Sequence, residues 1–422
     1  MEKIKGKFFF PLNRNKKKKQ VPGIIEISDN GFVKLELLGV LIEDENHPFP
    51  FSELKRKVNI WGIAENGSKI SLLQCDAINI TQHFDKMGMT FETYHARFIL
   101  KNDWVENASK KYFRKLSVSI EGLGDWLNIS GGIQNTIFEN GGEKYSYNYK
   151  EPSDIFFEIE KHLKGCFYFR IKKPELRFGY HIEQKSCLEF SSDKSESLLF
   201  FLERLYHFQR FLNLVSDSVL DIDFITMTSY HNSYQVGQQK YFTELNLVYL
   251  KENLQNQGNI SNRLSFLIHY KDLENNFEGI IQQWFKFRTG GMSRVIEIIY
   301  EGIKNKQKVR NYLFIAVSQA AEGFYRIEKQ QRHSKFEKAI NALLQDNLLN
   351  IHFSSFEKPK DIEKLVQTIK EYRNDLTHIG KFKNLEPQQS EIYFLTNLLK
   401  NITTLALLKK TGISNDSIRI TF

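Results

Sequence analysis

The sequence predicts an α+β protein: a β-rich, antiparallel, sandwich-like N-terminal domain followed by an all-α helical bundle. Three observations carry this. Short segments rich in β-branched and aromatic residues, punctuated by Gly, Asn, Asp and Pro, fill roughly the first 190 residues. After Asp272 the apolar residues recur at helical spacing almost throughout. A chain of 422 residues with 41% hydrophobic content suffices for two domains with packed cores.

The predicted strands are 23–28, 33–42, 58–64, 69–80, 91–100 and 115–121. Val21-Pro22-Gly23 and Asp29-Asn30-Gly31 are turn signals on either side of the first. Many short strands without alternating helices argue for antiparallel pairing. Gly131-Gly132 and Asn140-Gly141-Gly142 bracket a long hairpin or loop; no Gly-Lys-Ser/Thr follows, so they are no phosphate loop. A helix spans Ser195 to about Asp217, with Leu198, Leu199, Leu202, Leu205, Tyr206 and Phe208 at helical spacing. Strand-like pieces return at 220–230 and 240–250. Helices are then predicted at 272–287, 291–303, 309–330, 334–347, 361–379 and 389–410. Thr289-Gly290-Gly291 marks the expected boundary between domains 1–290 and 291–422.

Composition narrows the function classes. No apolar run approaches the roughly 20 residues of a membrane span. Phe8-Phe9-Phe10 before Pro11 is too short for a signal peptide, so a cytoplasmic protein is expected. Cys75, Cys166 and Cys187 match no metal or redox spacing and are expected as buried apolar side chains. No HxH or HExxH spacing occurs, and neither a metal nor a cofactor is expected. Net charge is +9, with 21 Lys+Arg against 14 Asp+Glu from residue 291 onward and 38 against 36 before it. The positive field belongs mostly to the C-terminal part and fits a polyanion there. The run Lys16–Lys19 reads as a solvated loop.

One segment carries chemistry. Arg373-Asn374-Asp375-Leu376-Thr377-His378 closes an amphipathic stretch, with Gly380 placed to end the helix. Asp361 is the expected N-cap, and Ile362, Leu365, Val366, Ile369, Tyr372, Leu376 and Ile379 form the apolar stripe. A histidine moves a proton near neutral pH, and an arginine holds a phosphate and absorbs developing charge. RNA brings its own nucleophile, the 2′-hydroxyl. Arg373 falls at the margin of the stripe, while Asn374 and His378 share the polar face. Arg373 and His378 are about 140° apart around the axis, so a composite site between two copies related by a two-fold axis is expected. The same residues have structural readings: Arg373 pairing with Glu371 or Asp375, and His378 capping the helix end. Arg326 and His333 fit a looser version of the spacing, in a charged stretch that reads as a solvated helix end.

Arg-Asn-x-x-x-His at the end of a helix, within an all-helical domain, resembles the HEPN superfamily. The closer similarity is to its ApeA-like branch, found in bacterial anti-phage defence. The stretch Tyr312–Arg326 resembles the helix that precedes the motif helix in that branch. Val21–Glu26 and Gly31–Gly39 are similar to the start of the ApeA N-terminal domain. The resemblance implies a dimeric or larger homo-oligomeric ribonuclease that cuts RNA without metal, tRNA being one expected target. It implies catalytic roles for Arg373 and His378 and a supporting one for Asn374. Glu322 lies off the apolar face of its helix; it either pairs with Arg326 four residues on or positions Arg373 across the helix pair. Lys381, Lys383 and Arg332 are candidates to guide the RNA backbone. The N-terminal part then reads as a sensor awaiting a trigger, with a phage-derived signal as the expected partner. Two other readings compete. One is a non-catalytic HEPN domain used for dimerisation or ligand binding. The other is a carbohydrate- or lipid-recognition protein, which exposed Trp61, Trp104 or Trp126 would favour.

Overall fold

The computed structural model describes residues 1–11, 19–41, 57–82, 90–139, 142–173, 182–249, 266–306, 308, 310–353, 359–377, 388–414, 417–418 and 420–421. Seven strands come first: β1 (Glu2–Phe9), β2 (Val21–Ile27), β3 (Val33–Leu38), β4 (Val58–Ala64), β5 (Lys69–Gln82), β6 (Thr90–Lys101) and β7 (Phe113–Ile120). The short helix α1 (Leu123–Leu127) leads to the hairpin of β8 (Gly132–Glu139) and β9 (Gly142–Tyr149). Then follow β10 (Ile155–Glu160), β11 (Leu163–Lys172), β12 (Glu183–Glu196), the helix α2 (Leu198–Ser216), β13 (Ile222–Val236) and β14 (Gln239–Tyr249).

The β-rich, antiparallel expectation holds, and the sheet has a more specific form than two facing layers. Twelve strands make one continuous sheet, in the order β10-β11-β12-β7-β13-β14-β6-β3-β2-β1-β4-β5, and β5 returns to pair with β6. Six strands therefore close as a barrel. Closure needs strong curl, and β5 supplies it through a register shift between Ala77 and Asn79 and a left-handed Gln74 (φ 54). It also needs close approach: a Cβ on Gly62 of β4 would lie 2.7 Å from the Phe8 ring. Alternate residues fill the interior, including Ile25, Leu35, Leu37, Ile60, Leu72 and Ile99. Trp61 and Trp104 stack on each other at 5.6 Å, and their indole N–H groups donate to Val105 O and Gly62 O.

The other six strands stay open, and α2 packs on them. Ser197 caps α2 by accepting from Phe200 N at 3.1 Å. Phe201, Leu205, Phe208, Phe211 and Leu212 are fully buried there. Trp126 on α1 is the hub, within ring contact of Phe167, Phe208, Phe211 and Tyr270. Of the three tryptophans named by the recognition reading, Trp126 is wholly buried and the other two are half-buried. Cys75, Cys166 and Cys187 are buried and free, as their spacing predicts.

Helices dominate from Tyr270 on: α3 (Tyr270–Leu273), a 3-10 turn, α4 (Phe277–Lys286), α5 (Gly291–Lys304), α6 (Asn311–Glu328), α7 (Phe336–Asn347), α8 (Ile362–Thr377) and α9 (Gln389–Lys410). β15 (Ile351–His352) and β16 (Ile420–Thr421) pair in parallel and tie the chain end to the segment after α7. α9 is apolar nearly all round and sits at the centre, against α5, α6 and α7. The apolar interior is continuous across residue 290, with α2 packed on α5. Among the described residues, no helix is long and apolar enough to cross a membrane.

His207 of α2 is buried where α2 meets α4: its Nε2 lies 2.9 Å from Trp284 O and its ring stacks on Trp284. Burial lowers its pKa to about 4, so the imidazole is neutral in the fold. A folded pKa below the unfolded one gives stability that is complete above about pH 6.5 and lost as pH falls toward 4. His207→Gln is expected to remove about 2–3 kcal/mol of the acid sensitivity seen between pH 7 and 4.5. Thermal melts of both proteins at the two pH values check this; identical pH dependence would refute it.

Candidate active site

The site is assembled where α6, α7 and α8 meet. α8 starts as its sequence predicts, with Lys364 N donating to Asp361 Oδ1 at 3.0 Å. Val366 and Ile369 are its buried residues, while Ile362, Leu365, Tyr372 and Leu376 pack half-buried. Tyr372 donates to Glu391 at the start of α9, anchoring the last turns of α8. Burial, followed by that carboxylate, pushes the phenol up to about 12, so it remains a neutral donor. Lys370 pairs with Glu337 of α7 and holds that carboxyl below its usual range.

Arg373 turns inward from the margin of the stripe. Its Nη2 lies 3.4 Å from Glu322 Oε2 on α6, and its guanidinium centre sits 4.5 Å from the Phe336 ring centroid on α7. It makes no pair with Glu371 or Asp375 among the described residues; Glu371 accepts from Gln367 at 2.7 Å instead. Glu322 is buried, which corrects the reading that placed it off the apolar face. The reason is that α8 packs on that side of α6. Its second oxygen, Oε1, lies 2.6 Å from Arg326 Nη2, so it meets both of its predicted partners at once.

Sequence reasoning set Arg326 aside as half of an Arg-to-His spacing and kept it as a partner of Glu322. Arg326 lies in the last turn of α6 with its side chain 38% exposed, and besides Glu322 its Nη2 donates to Ser334 O at 2.9 Å. The Glu322–Arg326 spacing of four was the available signal, since it puts both on one face of α6. The cluster thus holds two guanidiniums on one carboxylate and carries one excess positive charge. The Nε atoms of Arg326 and Arg373 are both buried with no hydrogen-bond partner among the described residues. A buried carboxylate is costly unless paired and hydrogen-bonded, and here two arginines pair it. Arg373 is left 25% exposed, enough to present its edge to an anion.

Asn374 is exposed beside Arg373. Thr377, the last described residue of α8, donates to Arg373 O at 2.8 Å and so stays folded against the helix. Arg332 is exposed in the turn between α6 and α7, two residues from the Ser334 carbonyl that Arg326 holds. His378, Lys381 and Lys383 lie outside the described residues.

An antiparallel barrel-and-sheet unit leading into a helical bundle, with the Arg373-Asn374 pair of an Arg-Asn-x-x-x-His sequence on a bundle helix, defines a class of two-part HEPN proteins. The chain matches the ApeA N-terminal domain 1 family over residues 3–284 and the Apea-like HEPN family over residues 278–417. It belongs to the ApeA-like HEPN family. No curated protein and no solved structure gives a significant match. HEPN domains are generally associated with RNases; they typically dimerise and act on RNA.

Proposed function

We propose that this protein is a metal-independent endoribonuclease of anti-phage defence, with residues 291–422 as the nuclease and residues 1–290 as a sensor that restrains it. The observation that carries the reading is Arg373: a guanidinium held by a buried carboxylate and an aromatic ring, one residue from an exposed Asn and five from His378. Preorganised positive charge of this kind stabilises a phosphorane-like transition state with no reorganisation needed at the moment of reaction. The reaction is transesterification. The RNA 2′-oxygen attacks the adjacent phosphorus, His378 takes the 2′-hydroxyl proton or gives one to the departing 5′-oxygen, and the P–O5′ bond breaks. Arg373 contacts the non-bridging oxygens, and Asn374 orients the phosphate or the imidazole. Two copies of the motif about a two-fold axis supply both a proton acceptor and a proton donor. The protein acts in the cytoplasm, with tRNA among its substrates and a phage-derived trigger releasing it.

The test is cleavage of total cellular RNA in EDTA by wild type, Arg373→Ala and His378→Ala, with lysate of phage-infected cells added as the source of trigger. Wild type is expected to cut with the chelator present, and His378→Ala to cut at least about 100-fold more slowly. Loss of wild-type cutting in EDTA would rule out the mechanism. A cellular effect that survives His378→Ala would point to the non-catalytic reading.

A further inference from the structure

We propose that the turn between α5 and α6, with Tyr312, is a second RNA-contact surface that grips the substrate backbone away from the cleavage site. The proposal rests on RNA being the substrate. No Asp or Glu occurs from residue 302 to 321, while Lys304, Lys306, Lys308 and Arg310 fall within seven residues. Two backbone bonds brace its described residues: Lys306 N donates to Ile303 O, and Lys308 N to Asn305 O at 2.8 Å. Glu301 lies 3.9 Å from Lys304, and Asp217 of the α2 cap takes Lys306 at 3.6 Å and the buried Lys400. Lys308 and Arg310 are exposed and pair with no carboxylate among the described residues.

Tyr312 adds a stacking face. It is 57% exposed, its hydroxyl accepts from Arg310 Nη1 at 2.8 Å, and the Arg310 guanidinium lies 5.6 Å from its ring centroid. A cation held beside an exposed aromatic suits a phosphate next to a stacked base. Helix geometry connects this surface to the candidate site. Tyr312 and Arg326 lie within about 40° of one face of α6 and about 21 Å apart along it. The exposed residues between them, such as Gln319, carry no charge. At about 3.4 Å per stacked nucleotide, about six nucleotides bridge the two. The substrate is then an RNA longer than that, lying along α6.

The experiment uses the full chain and a 20-nucleotide single-stranded RNA, with binding read by fluorescence anisotropy from 50 to 300 mM salt. Lys308→Ala/Arg310→Ala is expected to weaken binding several-fold. The slope of log affinity against log salt should become shallower by about 1.4, or about 0.7 for each phosphate no longer neutralised. Tyr312→Ala is expected to weaken binding with the slope unchanged. Cleavage of a trinucleotide should be unaffected, while KM for the long RNA rises. An unchanged slope in a double variant of wild-type helicity would overturn the proposal, as would a wild type that does not bind RNA. A change in sedimenting mass would reassign the face to contact between copies. Binding to phosphatidylserine vesicles in place of RNA would reassign it to a membrane. Binding that follows these expectations, with no cleavage even when lysate of phage-infected cells is added as the source of trigger, would uphold this surface and sink the nuclease reading.

Discussion

Arg373→Ala is expected to slow RNA cleavage by about 100- to 1000-fold, the usual loss when one preorganised donor to a developing oxyanion is removed. The fold should survive. Glu322 keeps Arg326 at 2.6 Å after the change, so no buried carboxylate is stranded. What disappears is a half-buried guanidinium resting on Phe336, and a stability cost of about 1 kcal/mol is expected. Arg373→Lys should recover only part of the rate, because an ammonium cannot reproduce the planar fork that reaches phosphate and carboxylate together. Rates on a defined RNA, with a thermal melt of each variant, separate the two effects. Wild-type rates in a folded Arg373→Ala protein would remove Arg373 from the site.

Glu322→Ala is expected to do more damage to the protein. It leaves Arg326 and Arg373 facing each other with no anion between them, and the carboxylate it removes is 9% exposed. Breaking a buried pair by removing one partner costs about 3–5 kcal/mol; the partly exposed arginines reduce that here to about 2–3 kcal/mol. Cleavage should fall as well, because Arg373 no longer has the carboxylate that aims it. Glu322→Gln, which keeps the shape and loses the charge, should lie between. Double-mutant cycles of Glu322 with Arg326 and with Arg373 apportion the effect. A melt within about 0.5 kcal/mol of wild type would show the triad to be energetically idle.

Most of the architecture was legible because its elements are locally consistent. The helices after Gly290 lie within one or two residues of their expected ends at α5, α6, α7 and α9, where the apolar residues keep a helical period. Strands β4 and β7 were as clear, because each is a short run rich in β-branched and aromatic or apolar residues. β1 was missed: Lys3, Lys5 and Lys7 take its outward positions and Gly6 one of its inward ones, so its apolar face is thin in the pattern. β10 to β12 were missed as well, in a stretch where Phe156 and Phe157 are adjacent but face opposite sides of the sheet. Barrel closure is a long-range property: nothing local says that β5 pairs with both β4 and β6.

The site was legible in part. The 3.6-residue period placed Arg373 at the edge of the α8 stripe, and there it packs. Burial of Glu322 was not legible, since helical period ranks a glutamate as polar whatever neighbour covers it. Arg326 was legible as a partner of Glu322 four residues away, but not as part of a site, because it stands among Glu328, Lys329 and Arg332, which look solvent-facing. Only the docking of α8 on α6 turns these three residues into one cluster.

The chemistry of the RNA ends tests the central claim most directly. RNA cut by the wild-type protein should carry 2′,3′-cyclic phosphate and 5′-hydroxyl termini, read by ligation-dependent sequencing with and without prior end repair. Termini with 3′-hydroxyl and 5′-phosphate would contradict the account, because they require attack by water or another external nucleophile in place of the 2′-oxygen that Arg373 and His378 are proposed to serve.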